Sequence, residues 1–147
     1  MKYVLILHNY WELMNYSVYD TYKEAYAEMK KEFDGFCDEC GDELYGSEID
    51  LCSAAVDNGN DYDYWQILEV DFNNFKFEQD RVLISFNWQR GNGTISCFHN
   101  YNDAFEAMKK AFIADLCAWD DHVQELEFES KHALVGNDEG IDHWYII

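Results

Sequence analysis

The chain repeats itself. Val4-Leu5-Ile6 recurs as Val82-Leu83-Ile84 and Asn9-Tyr10 as Asn87-Trp88, an offset of 78 residues that becomes 79 after one insertion. Ala25-Tyr26 then recurs as Ala104-Phe105, Met29-Lys30-Lys31 as Met108-Lys109-Lys110, and Phe33 as Phe112. The same offset carries Ala54, Val56, Asn58, Asp63, Trp65 and Ile67 onto Ala133, Val135, Asn137, Asp142, Trp144 and Ile146. Identical residues in several blocks at one offset mark a duplication, and a duplication fixes architecture before any local signal is weighed.

Each copy reads as strand, strand, helix, strand, strand. Residues 3–10 are β-branched and aromatic, and 16–19 follow as a second strand. In the second copy, 82–88 and 94–99 flank Gln89-Arg90-Gly91-Asn92-Gly93, a hairpin turn signal. Thr21-Tyr22-Lys23-Glu24 fits a capping box, and Asn100 takes the N-cap position in the second copy. Tyr22, Ala25, Tyr26, Met29, Phe33 and Phe36 recur at helical spacing, as do Tyr101, Ala104, Phe105, Met108, Phe112, Leu116 and Trp119. The last two strands fall at 50–56 and 62–70, and at 128–135 and 141–147. The fold class expected is α+β, a tandem duplication of a ββαββ unit with antiparallel sheets and one helix per repeat. The first repeat spans 1–70, a connector 71–79, and the second repeat 80–147. Half a chain this size buries little surface alone, so the repeats are expected to pack as one compact body. One continuous sheet is the preferred arrangement, with two sheets packed through their helices as the alternative.

Charge is the second constraint. The net charge is -20 on 147 residues, and no Lys or Arg occurs between Glu32 and Phe75. A compact state suffers self-repulsion from such a field, so the field is expected to have a use. Residues 1–78 hold 18 acids against 5 bases, and 79–147 hold 12 against 5. Apolar residues at 48% and aromatics at 18% exclude disorder. The apolar start at residues 1–8 reads as a strand rather than a secretory signal, and no apolar run reaches about 18 residues. Five Cys without framework spacing fit a reducing, cytoplasmic setting.

The chemical constellations are weak. Cys37-Asp38-Glu39-Cys40 is a CxxC with Cys52 and His8 as potential further zinc ligands, but a second knuckle is missing. The carboxylates around it oppose a reactive thiolate, and plain packing is the expectation. Asp57-Asn58-Gly59-Asn60-Asp61-Tyr62-Asp63 resembles the start of a calcium loop, yet its twelfth position is Leu68 where a Glu is required. A hairpin turn is expected there and at its mate, Gly136-Asn137-Asp138-Glu139-Gly140. His8, His99, His122, His132 and His143 form no ligand or catalytic spacing, and no phosphate loop or nucleophile elbow occurs. The expectation is therefore no enzyme and no cofactor. Tyr10, Trp11, Tyr16, Tyr45, Tyr62, Tyr64, Trp88 and Trp119 exceed what a small core can hold, so some of them are expected at the surface.

In composition and charge, though not in aligned residues, the chain resembles the acidic DNA-mimic inhibitors of phages and mobile elements, the anti-CRISPR and anti-restriction proteins. The resemblance implies no common fold. It implies a non-enzymatic inhibitor whose carboxylates occupy the nucleic-acid groove of a basic protein, such as a CRISPR effector or restriction enzyme, in the host cytoplasm. Duplex DNA carries one charge per roughly 1.7 Å, so twenty net charges correspond to about 34 Å, or roughly ten base pairs. Direct nucleic-acid or membrane binding is disfavoured by the same charge. The candidate partner-binding residues are Glu32, Asp34, Asp38, Glu39, Asp42, Glu43, Glu48, Asp50, Asp57, Asp61 and Asp63 in the first repeat. Asp120, Asp121, Glu125 and Glu127 occupy the matching place in the second, where Asp115 and Glu129 extend the acidic run. The alternatives are a generic interaction module without mimicry and a metal-stabilised regulator.

Overall fold

The computed structural model describes residues 1–9, 13–59, 62–72, 80–87, 92–119, 123–137 and 140–147. Residues 73–79 of the expected connector, the 89–93 turn apart from Asn92 and Gly93, and the tips of the other two turns lie outside them. The chain divides into two units, Met1–Asp71 and Phe72–Ile147. The first contains β1 (Lys2–His8), β2 (Leu13–Tyr19), α1 (Tyr22–Cys40), a short 3-10 turn (Gly41–Glu43), β3 (Gly46–Ile49), β4 (Ser53–Asp57) and β5 (Tyr62–Val70). The second contains β6 (Arg81–Asn87), β7 (Asn92–Phe98), α2 (Tyr101–Trp119), β8 (Glu125–Phe128), β9 (His132–Asn137) and β10 (Gly140–Ile146).

Each unit is α+β, with one helix and an antiparallel five-stranded sheet. The sheets run β2-β1-β5-β4-β3 and β7-β6-β10-β9-β8, the same order in both copies. The described strands thus form two sheets rather than one continuous sheet. Each unit is ββαβββ, not ββαββ. The added strand is the short edge strand β3, paired Gly46↔Asp57 through Ile49↔Ala54, with β8 as its counterpart. Its Gly, Ser and Glu have the composition of a loop, and only main-chain pairing to β4 makes it a strand. Charge along so short an edge also discourages further pairing. The expected single strand from residue 50 is broken by Asp50, whose Oδ1 accepts the backbone N–H groups of Cys52 at 2.8 Å and Ser53 at 2.7 Å. This Asx turn reverses the chain from β3 into β4.

The duplication is exact in the two cores. Ala25, Met29 and Phe33 of α1 pack on Leu5, Ala54, Val56, Trp65 and Ile67. Ala104, Met108 and Phe112 of α2 pack on Leu83, Ala133, Val135, Trp144 and Ile146, the same residue types position by position. Phe33 meets Trp65 edge-on at 6.4 Å, and Phe112 meets Trp144 edge-on at 6.2 Å. The Tyr22 hydroxyl donates to the Leu51 carbonyl, and the Tyr101 hydroxyl to the Ser130 carbonyl. Helix entry repeats as well. Thr21 and Glu24 form the reciprocal capping box, with the Thr21 N–H donating to Glu24 Oε2 at 3.0 Å. In the second unit, Asn100 Oδ1 accepts the Asp103 N–H at 2.9 Å. The sheet face away from the helix is buried too, through Val4, Ile6 and His8 in β1 and Ile84, Phe86 and His143 in unit 2. No helix, among the described residues, is long and apolar enough to cross a membrane.

Candidate acidic interface

The candidate carboxylates separate into two groups according to what holds them. Five have structural partners or are enclosed. Glu32 is half-buried, and its Oε2 accepts the Trp65 indole N–H at 2.8 Å. Asp34 pairs with Lys30 one turn earlier on α1 at 2.8 Å. Asp50 caps the β3–β4 turn, and the Cys52 and Ser53 N–H groups hold its carboxyl below the usual carboxylate range. Asp57 is half-buried and accepts the Gly59 N–H at 2.7 Å, in a turn that Gly59 completes at φ 82. Asp63 is only 8% exposed. It lies on the helix-facing side of β5 with Trp65, so it belongs to the interior of unit 1 rather than to a surface array. Its repeat mate Asp142 accepts from Asn87 Nδ2 at 2.5 Å and from Trp119 Nε1 at 3.3 Å.

The second group is exposed and continuous along the chain: Asp38 and Glu39 in the last turn of α1, Asp42 and Glu43 in the 3-10 turn, and Glu48 in β3. No basic residue stands in that last turn. The carbonyl end of a helix already carries partial negative charge, so each carboxylate there opposes the macrodipole by about 0.3–1 kcal/mol. Gly41 ends the helix at φ 50, where its N–H donates to the Cys37 carbonyl, and the acidic turn follows directly. Glu48 and Asp57 border an open depression of about 340 Å³ with Tyr62. Tyr45, 82% exposed, stands between Glu43 and Glu48 in sequence.

In unit 2, Glu125 and Glu127 are exposed on β8, and Glu127 Oε1 lies 3.2 Å from His132 Nδ1. Asp61, Asp120 and Asp121 lie outside the described residues, as do Tyr10, Trp11, Trp88 and His122. Of the eight aromatics too many for one small core, Tyr45 and Tyr16 are exposed, Tyr64 is only 8% exposed, and Trp119 is half-buried against the core of unit 2. Cys37 and Cys40 pack against the core of unit 1, as their helical spacing after Phe33 and Phe36 anticipates. Cys52 is exposed, with its thiol pushed up first by partial burial and then by the Asp50 charge. Among the described residues, no three His, Cys, Asp or Glu side chains converge as metal ligands would.

A second feature escapes a reading by charge runs. Glu32, Gly35, Phe36 and Glu39 follow one another at i, i+3, i+4 and i+7 on α1 and border a cavity of about 230 Å³ with Leu7, Lys31 and Trp65. The signal was a Gly in a helix interior, where Gly costs about 0.5–1 kcal/mol relative to Ala. Comparison with protein families, with curated proteins and with solved structures finds no match to this chain.

Proposed function

We propose that the protein is a non-enzymatic inhibitor whose acidic surface occupies the nucleic-acid groove of a basic protein. The carrying observation is the exposed set Asp38, Glu39, Asp42, Glu43 and Glu48, whose first two members stand in the last turn of α1, where the helix dipole disfavours them. Carboxylates maintained against the local field are better accounted for by a cationic partner than by folding. They project from the end of a helix and an edge strand, elements packed on a core, so their spacing is held before binding. A preorganised array loses less conformational freedom on association than a flexible acidic tail does. The exposed ring of Tyr45 adds an amphipathic contact within the array, suited to stacking under a partner Arg.

The partner class is a nucleic-acid-binding protein with a cation-lined groove, a CRISPR effector or restriction enzyme being the expected kinds, met in the cytoplasm. Exposed charges are screened over about 8–10 Å at 0.10–0.15 M salt, so association should weaken steeply as salt rises. The test is affinity capture from a bacterial lysate by wild type and by a variant with Asp38, Glu39, Asp42 and Glu43 changed to Lys. Capture of a basic nucleic-acid-binding protein by wild type alone, released by salt, is the expected result. Equal capture by both forms, independent of salt, refutes the reading and favours an interaction module without mimicry.

A further inference from the structure

The open cavity on α1 is lined by both apolar and charged side chains. Leu7 from β1 and Phe36 from α1 form its walls, and the fully buried Trp65 its floor, with Phe36 meeting Trp65 edge-on at 5.4 Å. Its volume of about 230 Å³ exceeds by several-fold the roughly 30 Å³ share of a liquid water. Glu32 and Glu39 stand on either side of Gly35, two helical turns apart. The Trp65 indole fixes the Glu32 carboxylate through one oxygen, at 2.8 Å. A carboxylate offers about four acceptor positions, so this bond leaves capacity for a second donor. Lys31 also lines the cavity; its ammonium pairs with Glu28 at 2.6 Å and feels Glu32 only as a weaker, secondary charge.

Gly35 opens the notch. A Cβ built there meets nothing within 4 Å, so close packing is not the reason for glycine. The duplication supplies an internal control. Positions Glu32, Gly35, Phe36 and Glu39 correspond to Ala111, Ala114, Asp115 and Ala118 in α2, and Leu7 corresponds to Ser85. Trp65 corresponds to Trp144, and the cavity that touches Ser85, Asp115 and Trp144 measures about 90 Å³. The cavity in unit 2 also carries two carboxylates, Asp115 and Asp142; the two cores are residue-for-residue the same, so what the fold does not require is the larger, more apolar version.

We propose that this cavity is a socket for one arginine side chain of the basic partner. The proposal rests on the reading that the partner is cationic. An arginine stem would lie along Leu7 and Phe36 while its head stays at the mouth. The planar guanidinium presents donors in several directions at once, which suits two carboxylates flanking a gap, and it is more weakly hydrated than a lysine ammonium. The socket would supply a shape-selective anchor within a surface that otherwise acts through charge.

The test is a titration of the whole protein with N-acetyl-arginine methylamide, followed by NMR at the Trp65 indole N–H, with the uncharged citrulline counterpart as control. The expected result is a saturable shift for the arginine compound, with binding about fivefold or more weaker for citrulline and for the Glu32→Gln and Glu39→Gln variants. Gly35→Leu, which fills the notch and favours helix, should abolish it. Glu39→Gln changes an exposed group, so its result does not depend on whether Gly35→Leu folds. Equal shifts for the citrulline compound, or an undiminished response in Gly35→Leu and Glu39→Gln, would overturn the socket. Loss of the socket with salt-dependent partner capture intact leaves the acidic-surface reading standing. Salt-independent capture refutes that reading whatever the titration shows.

Discussion

Neutralising Asp38 and Glu39 should stabilise the protein. Both are exposed, both lie in the last turn of α1, and no base accompanies them there. Asp38→Asn with Glu39→Gln keeps size and nearly keeps helix propensity, so the change isolates charge. Each carboxylate opposes the helix dipole by about 0.3–1 kcal/mol at low salt, giving about 0.6–2 kcal/mol for the pair. For a chain of this length 1 kcal/mol moves the melting temperature by about 2–4 °C, so a rise of about 1–8 °C is expected. Thermal unfolding followed by circular dichroism in low-salt buffer measures it. The gain should shrink near 1 M NaCl, where the screening length is about 3 Å. A fall in melting temperature would show that these carboxylates serve the fold, and a gain that ignores salt would show that charge against the dipole is not its cause; either removes the argument that they serve a partner.

Other consequences follow from the same geometry. Met29→Ala and Met108→Ala should each cost about 2–5 kcal/mol in urea denaturation, and similar losses are expected because their surroundings repeat; a severe loss in one with none in the other would break the equivalence of the cores. Glu32→Ala leaves the buried Trp65 indole N–H without its acceptor and should cost about 1–3 kcal/mol, whereas Glu32→Gln should cost less. Asp50 has its carboxyl lowered from 3.8 by the Cys52 and Ser53 N–H groups. Its contribution is therefore present above pH 3.8 and lost as pH falls through the lowered folded-state value. The gap in urea midpoint between wild type and Asp50→Ala should be open at pH 6 and close as acid protonates the carboxylate; a gap that widens with acid contradicts the sign.

Repetition made the fold legible. Met29 with Met108 and Trp65 with Trp144 fixed the register of the two copies, and the helix face, N-caps and four strands of each followed, except that 50–52 and 129–131 turn where strand was expected. The fifth strand did not, because Gly46–Ile49 carries no apolar alternation and owes its conformation to bonding with β4. The site was legible only as charge. Thirty carboxylates look alike in sequence, and it takes packing to separate Asp63 in the interior and Asp50 and Asp57 in their turns from Asp38, Glu39, Asp42, Glu43 and Glu48 at the surface. The sequence showed that not every aromatic could be central but not which ones; packing places Tyr64 in the interior and Trp119 half-buried, while Tyr45 stays exposed. The socket on α1 joins residues from three elements, and its one sequence mark, Gly35 opposite Ala114, gains meaning only once both helices are seen on equivalent cores.

Competition at a nucleic-acid groove tests the central claim most directly. The basic protein captured by wild type should be titrated with a fluorescent duplex at several fixed concentrations of this protein, at constant salt. The account predicts that the apparent Kd for duplex rises in proportion to inhibitor, that no ternary complex forms, and that the Lys variant of Asp38, Glu39, Asp42 and Glu43 loses the effect. A ternary complex, or a duplex affinity unmoved by saturating inhibitor, would contradict it.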